Sequence, residues 1–87
     1  MAHIDVRRQN DAFDVVVREG VGESRHEVTV SAEDLARLGA GYDSSEDFVR
    51  ACFEFLLARE PKEAILARFD VSVIPRYFPE FEDEIVR

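Results

Sequence analysis

Apolar and polar residues alternate through the first third of the chain. Three segments there place their inward-facing residues at every second position: Ile4 and Val6, then Phe13, Val15 and Val17, then His26, Val28 and Val30. A period of two is typical of half-buried strands. The stretches RQND and EGVGES between these segments are rich in turn-forming residues. Residues 1–30 are therefore predicted to form a three-stranded antiparallel β-meander with one apolar face.

The spacing of apolar residues changes after residue 30. In SAEDLARLG, Ser31 is a candidate helix N-cap, and Gly39 is a natural stop. In SEDFVRACFEFLLARE, Ser44 is the candidate N-cap. Drawn as a helix, this second segment has apolar residues over an arc of roughly 200°. Such a helix has to be covered on more than one side, and the meander can cover only one of them.

Pro61 ends this apolar helix, because proline cannot donate a backbone hydrogen bond and disfavours helical geometry at Glu60. The following segment, PKEAILARF, is predicted to form a new helix that begins at Pro61. Its apolar side would carry Ile65, Leu66 and Phe69.

Residues 69–85 carry many apolar and aromatic side chains, although chain ends are usually polar. We expect this tail to fold back over the second side of the apolar helix. Its acidic residues would then form a solvated rim; they are Glu80, Glu82, Asp83 and Glu84. The whole sequence predicts one α+β domain over residues 1–87. In it, the three-stranded antiparallel β-meander is followed by three or four helices packed on one face, in residues 31–87.

The composition is that of a small acidic globular protein. The chain has 87 residues, of which 46% are hydrophobic and 34% charged, and this balance is typical of a globular domain. The formal net charge is −8 and is spread over both halves. Nucleic acid is therefore an unfavourable partner, whereas a basic protein is a favourable one.

Several features of the sequence bear on location. No apolar run reaches the roughly 20 residues needed to cross a bilayer. The N-terminal stretch has no apolar region typical of a secretion signal. The single cysteine, Cys52, has no partner for an internal disulfide. From these features we expect a cytoplasmic protein that does not enter a membrane.

Few residues have the spacing that catalysis or metal binding requires. His3, His26 and Cys52 are too far apart in sequence to form a zinc pattern, and a thiol among apolar residues is inert. The acidic stretches DSSED and EFEDE lack the spacing of a calcium-binding EF-hand loop. The G-x-G triplets do not complete a dinucleotide-binding fingerprint. We expect no catalytic site, no metal and no cofactor, and therefore not an enzyme.

The segment KEAILARFDVSVIPRYF resembles a bacterial helix-turn-helix. EAILARF matches the first helix, DVS the turn, and VIPRYF a recognition helix that exposes Arg76 and Tyr77. The resemblance implies a DNA-binding regulator that uses residues 62–78. Against it, Pro75 lies inside the second helix and Pro79 ends it early.

The block FVRACFEFLLAREPKEAILARFDVSVIPRYFPEFE also resembles a small prokaryotic family of uncharacterised proteins. Members of that family carry a FEFLL-RE-PKE-IL-RFD-VI-YFPE stretch after a strand-rich first half. The resemblance implies no activity, and supports only the inclusion of the tail in the domain.

These observations favour a small acidic protein–protein interaction module or subunit, with the helix-turn-helix regulator as the alternative. The partner is either a second copy, giving a homodimer, or another protein with a basic surface. A dimer would cover any part of the apolar helix that an angular, proline-containing tail leaves bare. The candidate interaction surface is Phe53, Phe55, Tyr77, Phe78 and Phe81.

We predict no measurable binding to duplex DNA at physiological salt, because the net charge of −8 repels a phosphate backbone. Fluorescence anisotropy with a labelled random-sequence duplex, begun at low salt, tests this expectation. Micromolar affinity that falls steeply as salt is added would contradict it and favour the helix-turn-helix interpretation.

Overall fold

Three hairpin-connected strands form the N-terminal third. In the computed structural model, which describes residues 2–87, they are β1 (His3–Gln9), β2 (Ala12–Glu19) and β3 (Gly22–Thr29), each antiparallel to the next. The two-residue loop of each hairpin begins with a residue of positive φ, Asn10 at 56° and Gly20 at 62°. Asn and Gly adopt this left-handed conformation most readily, and hairpin loops of this length require it.

One face of these strands is buried, as the alternation predicts. Its central residues are in the core: Phe13, Val15, Val17 and Val28. Val16 points to the opposite face and is half-buried. Ile4, Val6 and Val30 were also expected in the core but are only half-buried. Ile4 and Val6 lie on the outermost strand, and Val30 lies beyond the end of β3.

Both predicted serine N-caps are present. The Ser31 hydroxyl accepts the backbone N–H three residues later at 3.0 Å, where α1 (Ala32–Leu38) begins. Gly39 follows the last residue of that helix, as expected. The Ser44 hydroxyl makes the same contact at 3.0 Å at the start of α2 (Ser45–Leu57). Each cap satisfies a backbone donor that the first helical turn leaves free.

A fourth strand occupies the segment that was predicted to be a helix. Residues 62–64 form a single 3₁₀ turn, the chain then extends, and β4 (Arg68–Asp70) pairs in parallel with β3. The Glu27 backbone N–H donates to the Ala67 carbonyl oxygen at 2.8 Å. Pairing with a sheet outweighs the helix propensity of so short a segment, which is marginal by itself. The predicted three-stranded antiparallel meander is present as β1–β3, but the sheet is four-stranded and mixed, in the order β1-β2-β3-β4, because β4 adds a parallel strand that was not predicted.

The same pairing removes helix-turn-helix geometry from residues 62–78. The expected first helix is a turn followed by a strand. The expected recognition helix is only α3 (Ile74–Tyr77), a single turn with Pro75 near its start. A recognition helix has to project several side chains into a DNA groove, and one turn is too short for that.

The sheet covers one side of α2. The Phe53 ring centre lies 5.2 Å from that of His26 on β3 and 6.0 Å from that of Phe69 on β4. Phe53 is fully buried by these contacts. The side of α2 that carries Phe53 is thereby removed from water.

The tail covers the other side of α2. After α3 the chain turns at Pro79 into α4 (Phe81–Ile85). The Phe55 ring centre lies 5.1 Å from that of Phe81 and 5.9 Å from that of Phe78, both edge to face. Such aromatic pairs stabilise a core beyond the area that they bury.

We predict that Phe81→Ala lowers the free energy of unfolding by about 3–5 kcal/mol, because it leaves a cavity against α2. Urea denaturation followed by circular dichroism measures the change. Val86→Ala is the control, since Val86 is half exposed at the end of the same tail, and we expect it to stay within about 0.5 kcal/mol of the parent. Equal stability of the two variants would show that the tail is not part of the core.

Candidate functional site

A shallow apolar groove lies where α2, α3 and the segment leading into β4 meet. Leu56 from the last turn of α2 forms its floor. Ile65 and Leu66 form one wall, and Tyr77 and Phe78 form the other. The groove has a volume of about 170 Å³. Its lining therefore comes from the last turn of the central helix and from the two parts of the chain that follow it.

Two large apolar side chains on this groove remain in contact with water. Leu66 is 51% exposed and Tyr77 is 68% exposed. The other large apolar residues left exposed in the described chain, Val21 and Val86, do not line the groove. Single exposed apolar residues are normal, but a pair converging on one concavity is typical of an interaction site.

His26 holds one wall of the groove in place. Its Nδ1 lies 2.8 Å from the Leu66 carbonyl oxygen, and since a carbonyl only accepts, Nδ1 is the donor. Its Nε2 lies 2.8 Å from the Ser24 hydroxyl. The ring is buried against Phe53. Both nitrogens are engaged, so His26 acts as a structural link between β3 and the groove wall.

The size of the groove restricts what it can hold. Pockets for cofactors and drug-sized ligands have volumes of about 300–1,000 Å³, whereas a cavity of about 150 Å³ accommodates a benzene ring. A volume of about 170 Å³ therefore suits one aromatic or branched aliphatic side chain. Glu60 is the one charged residue in its lining, and it lies at the end of α2, where a bound chain could reach it.

The structure separates the five residues predicted as an interaction surface. Phe53, Phe55 and Phe81 are 0%, 8% and 0% exposed and lie in the core. They are buried because the sheet and the tail together cover the apolar arc of α2. Tyr77 and Phe78 lie on the groove.

Sequence reasoning missed the contribution of Leu66, which was assigned to the inner side of a helix. A signal for the extended conformation is present in RFDVSV, where Phe69, Val71 and Val73 alternate with polar residues. Period-two spacing of aromatic and β-branched residues indicates an extended segment, and its first part is the strand β4, whereas Val71–Val73 form a 3₁₀ turn. A strand in this segment would end the predicted helix before Phe69 and leave Leu66 at the surface.

Two arginines pair with three of the four acidic residues of the tail. Arg59 donates from Nε to Glu80 at 2.9 Å and from Nη2 to Glu84 at 2.9 Å. Arg37 donates from Nη1 to Glu82 at 2.9 Å. These carboxylates fasten α4 to the rest of the fold, so the tail is not a free acidic patch.

The remaining groups with reactive chemistry are held in structural positions. Cys52 is buried in the core, and burial raises the pKa of its thiol, which keeps it protonated. Within residues 2–87, no three His, Cys, Asp or Glu side chains stand together in a way that could hold a metal ion. None of the helices in that part of the chain combines the length and apolar character needed to cross a bilayer.

Comparison of the chain with protein-family models, with curated proteins and with solved structures gives no match. The resemblance of its second half to uncharacterised prokaryotic proteins therefore stays an expectation.

We predict that the Arg37–Glu82 pair makes stability depend on pH. Arg37 holds the pKa of the Glu82 carboxyl below its ordinary value of 4.5. A carboxyl whose pKa is lower in the folded state stabilises the fold above its unfolded pKa, and this contribution is lost as pH falls through the folded value. Arg37→Gln should therefore lower the Tm at neutral pH and leave it unchanged in acid, where Glu82 is protonated in both proteins.

Thermal unfolding by circular dichroism at neutral and acid pH measures this difference. Arg76→Gln is the matched control, because Arg76 forms no ion pair with the described residues. A loss of Tm in Arg37→Gln that is equally large in acid would show that the ion pair is not its cause.

Proposed function

We propose that this protein is an interaction module that captures one large apolar side chain of a basic partner protein in the groove beside Tyr77. The observation that carries the proposal is the convergence of two exposed apolar side chains, Leu66 and Tyr77, on a concavity of about 170 Å³. An inserted side chain would remove both from water. The hydrophobic effect then supplies the affinity.

The rigidity of the groove supports a binding role. One wall is fixed by the parallel pairing of β4 with β3 and by the hydrogen bond from His26 to Leu66. The other wall rests on Phe78, which packs against Phe55 of α2. A site that is ordered before the partner arrives loses little conformational entropy on binding. Tyrosine is also among the residues that contribute most at protein interfaces.

The charge of the protein supports a basic partner. The net charge is −8, and Glu60 lies in the lining of the groove itself. A negative field attracts a basic segment and speeds its association. A lysine or arginine residue next to the inserted side chain would then face Glu60.

The lining of the groove favours binding over catalysis. Apart from Glu60 and Tyr77, the residues that line it have no ionisable side chain. General acid–base or nucleophilic chemistry needs several polar groups that converge on one reacting atom. An apolar groove with a single carboxylate is instead suited to binding an apolar side chain of a partner.

Selection from a random peptide library displayed on phage tests this proposal. We expect the enriched peptides to share one large apolar residue flanked by Lys or Arg. Tyr77→Asp should abolish the enrichment, because it places a charge in the apolar slot. In solution, Tyr77→Ala should weaken a selected peptide by roughly tenfold, which is the effect of losing a moderate interface anchor.

Val21→Asp is the matched control for the selection. Val21 is fully exposed on the loop between β2 and β3, away from the groove, and this variant carries the same change in charge as Tyr77→Asp. We expect it to enrich the same peptides as the parent. Equal enrichment by Tyr77→Asp, or enriched peptides with acidic flanks, would contradict the proposal.

A further inference from the structure

β1 is the edge strand of the sheet on the side away from the groove. The strand order is β1-β2-β3-β4, and the groove adjoins β4 through Phe69. No strand formed by residues 2–87 pairs with the outer side of β1. Unpaired backbone groups on a seven-residue edge strand are a template for another strand.

The pairing of the other strands identifies which backbone groups of β1 point outward. Along a strand of an antiparallel sheet, the backbone N–H and C=O groups of successive residues point alternately to the strand on one side and to the strand on the other. The Glu27 N–H bonds the β4 side, so its neighbour His26 bonds Val15 of β2. Because the backbone groups of Val15 point to β3, those of Val16 point to β1, where they pair with Asp5.

The same alternation leaves Ile4, Val6 and Arg8 with their N–H and C=O groups on the free edge. A contact from α2 agrees with it, since the Arg50 Nε lies 3.3 Å from the Ile4 carbonyl oxygen. That oxygen has a second lone pair for another donor. The side chains of Ile4 and Val6 are also only partly covered by α2. A strand added at this edge would satisfy the backbone groups and bury both side chains.

We propose that β1 pairs antiparallel with β1 of a second copy, across a two-fold axis that passes through Val6. In this register each Val6 lies opposite the Val6 of the other copy, and each Ile4 lies opposite Arg8. These are the residues whose backbone groups face outward, so each such pair exchanges both of its hydrogen bonds. Two sheets of four strands become one continuous sheet.

The charges of Asp5 and Arg7 favour this register over the two registers in which the axis is shifted by one residue. With the axis at Val6, Asp5 of each copy lies opposite Arg7 of the other on the solvent face. An axis at Asp5 would oppose two carboxylates, and an axis at Arg7 would oppose two guanidinium groups. Opposite charges across strands stabilise pairing, and like charges destabilise it. Edges protected against pairing usually carry charge that repels a second copy, whereas β1 is complementary to itself.

The proposed interface and the groove are at opposite edges of the sheet. Pairing through β1 therefore leaves both grooves of a dimer open. It also differs from a dimer built on the central helix, because Phe53 and Phe55 are already buried within one chain.

Light scattering on the full chain and on two charge variants tests the proposal. We expect the parent to have twice the 10.0 kDa chain mass at micromolar concentration. Asp5→Lys places like charges opposite each other in the homodimer, and so does Arg7→Glu. Each variant alone should therefore have the mass of one chain. An equimolar mixture of the two should regain the dimer mass, because residue 5 of each chain then lies opposite a residue 7 of opposite charge.

Two control variants, Arg25→Glu and Glu27→Lys, make similar charge changes on the same face of β3, and we expect them to remain dimeric. Circular dichroism confirms that each variant is folded. A parent mass of one chain up to millimolar concentration overturns the proposal. The proposal is also overturned if the parent dimer persists in both Asp5→Lys and Arg7→Glu, or if an equimolar mixture of these two variants stays monomeric.

Discussion

Burial of α2 on two sides is the constraint on which the rest of the structure depends. Phe53 points to the sheet, whereas Phe55 points to the tail. Each buried aromatic contributes roughly 1.5–3 kcal/mol, which is a large share of the stability of a small domain. Neither layer could cover both rings. The helix therefore requires a sheet before it in the chain and an apolar tail after it, and both are present.

The connection between these two layers creates the groove. The chain leaves α2, passes along β3 as β4, and returns to α2 as the tail. Leu66 lies on the outward path and Tyr77 on the return path, so the two stand on opposite walls of the gap between them. Arg59 fixes the far end of this loop by binding Glu80 and Glu84. The concavity is thus a consequence of topology, and its sides are held by strand pairing, by the His26–Leu66 hydrogen bond and by the packing of Phe78 on Phe55.

Much of the fold could be predicted from local patterns in the sequence. Period-two spacing located three strands, and Ser31 and Ser44 located the starts of two helices. These signals are short-range, so one segment is enough to read them. The fourth strand depends instead on the free edge of β3, and the short period-two signal in RFDVSV does not show that this edge is its partner. The strand has only three residues, and its partner β3 is far away in sequence.

The site was harder to predict than the fold for the same reason. An apolar residue is equally suited to a core and to an interface, and the sequence does not show which of them the rest of the fold covers. Phe53, Phe55 and Phe81 proved to be covered, whereas Tyr77 is not. One turn of helix separates Ile74, which is buried, from Tyr77, which is exposed. The direction of that turn is set by Pro75 and by the packing of Phe78 on Phe55, which involve residues distant in sequence.

The position of the tail in the core also determines when the domain can form during synthesis. The two hairpins close between neighbouring residues and need only the first third of the chain. The bond from Thr29 to Asp70 spans 41 residues, and α2 is not covered until Phe81 and Ile85 have been added. On a growing chain, the most apolar helix therefore emerges well before its second cover does. Nascent chains in this state expose hydrophobic surface and are the species that chaperones bind.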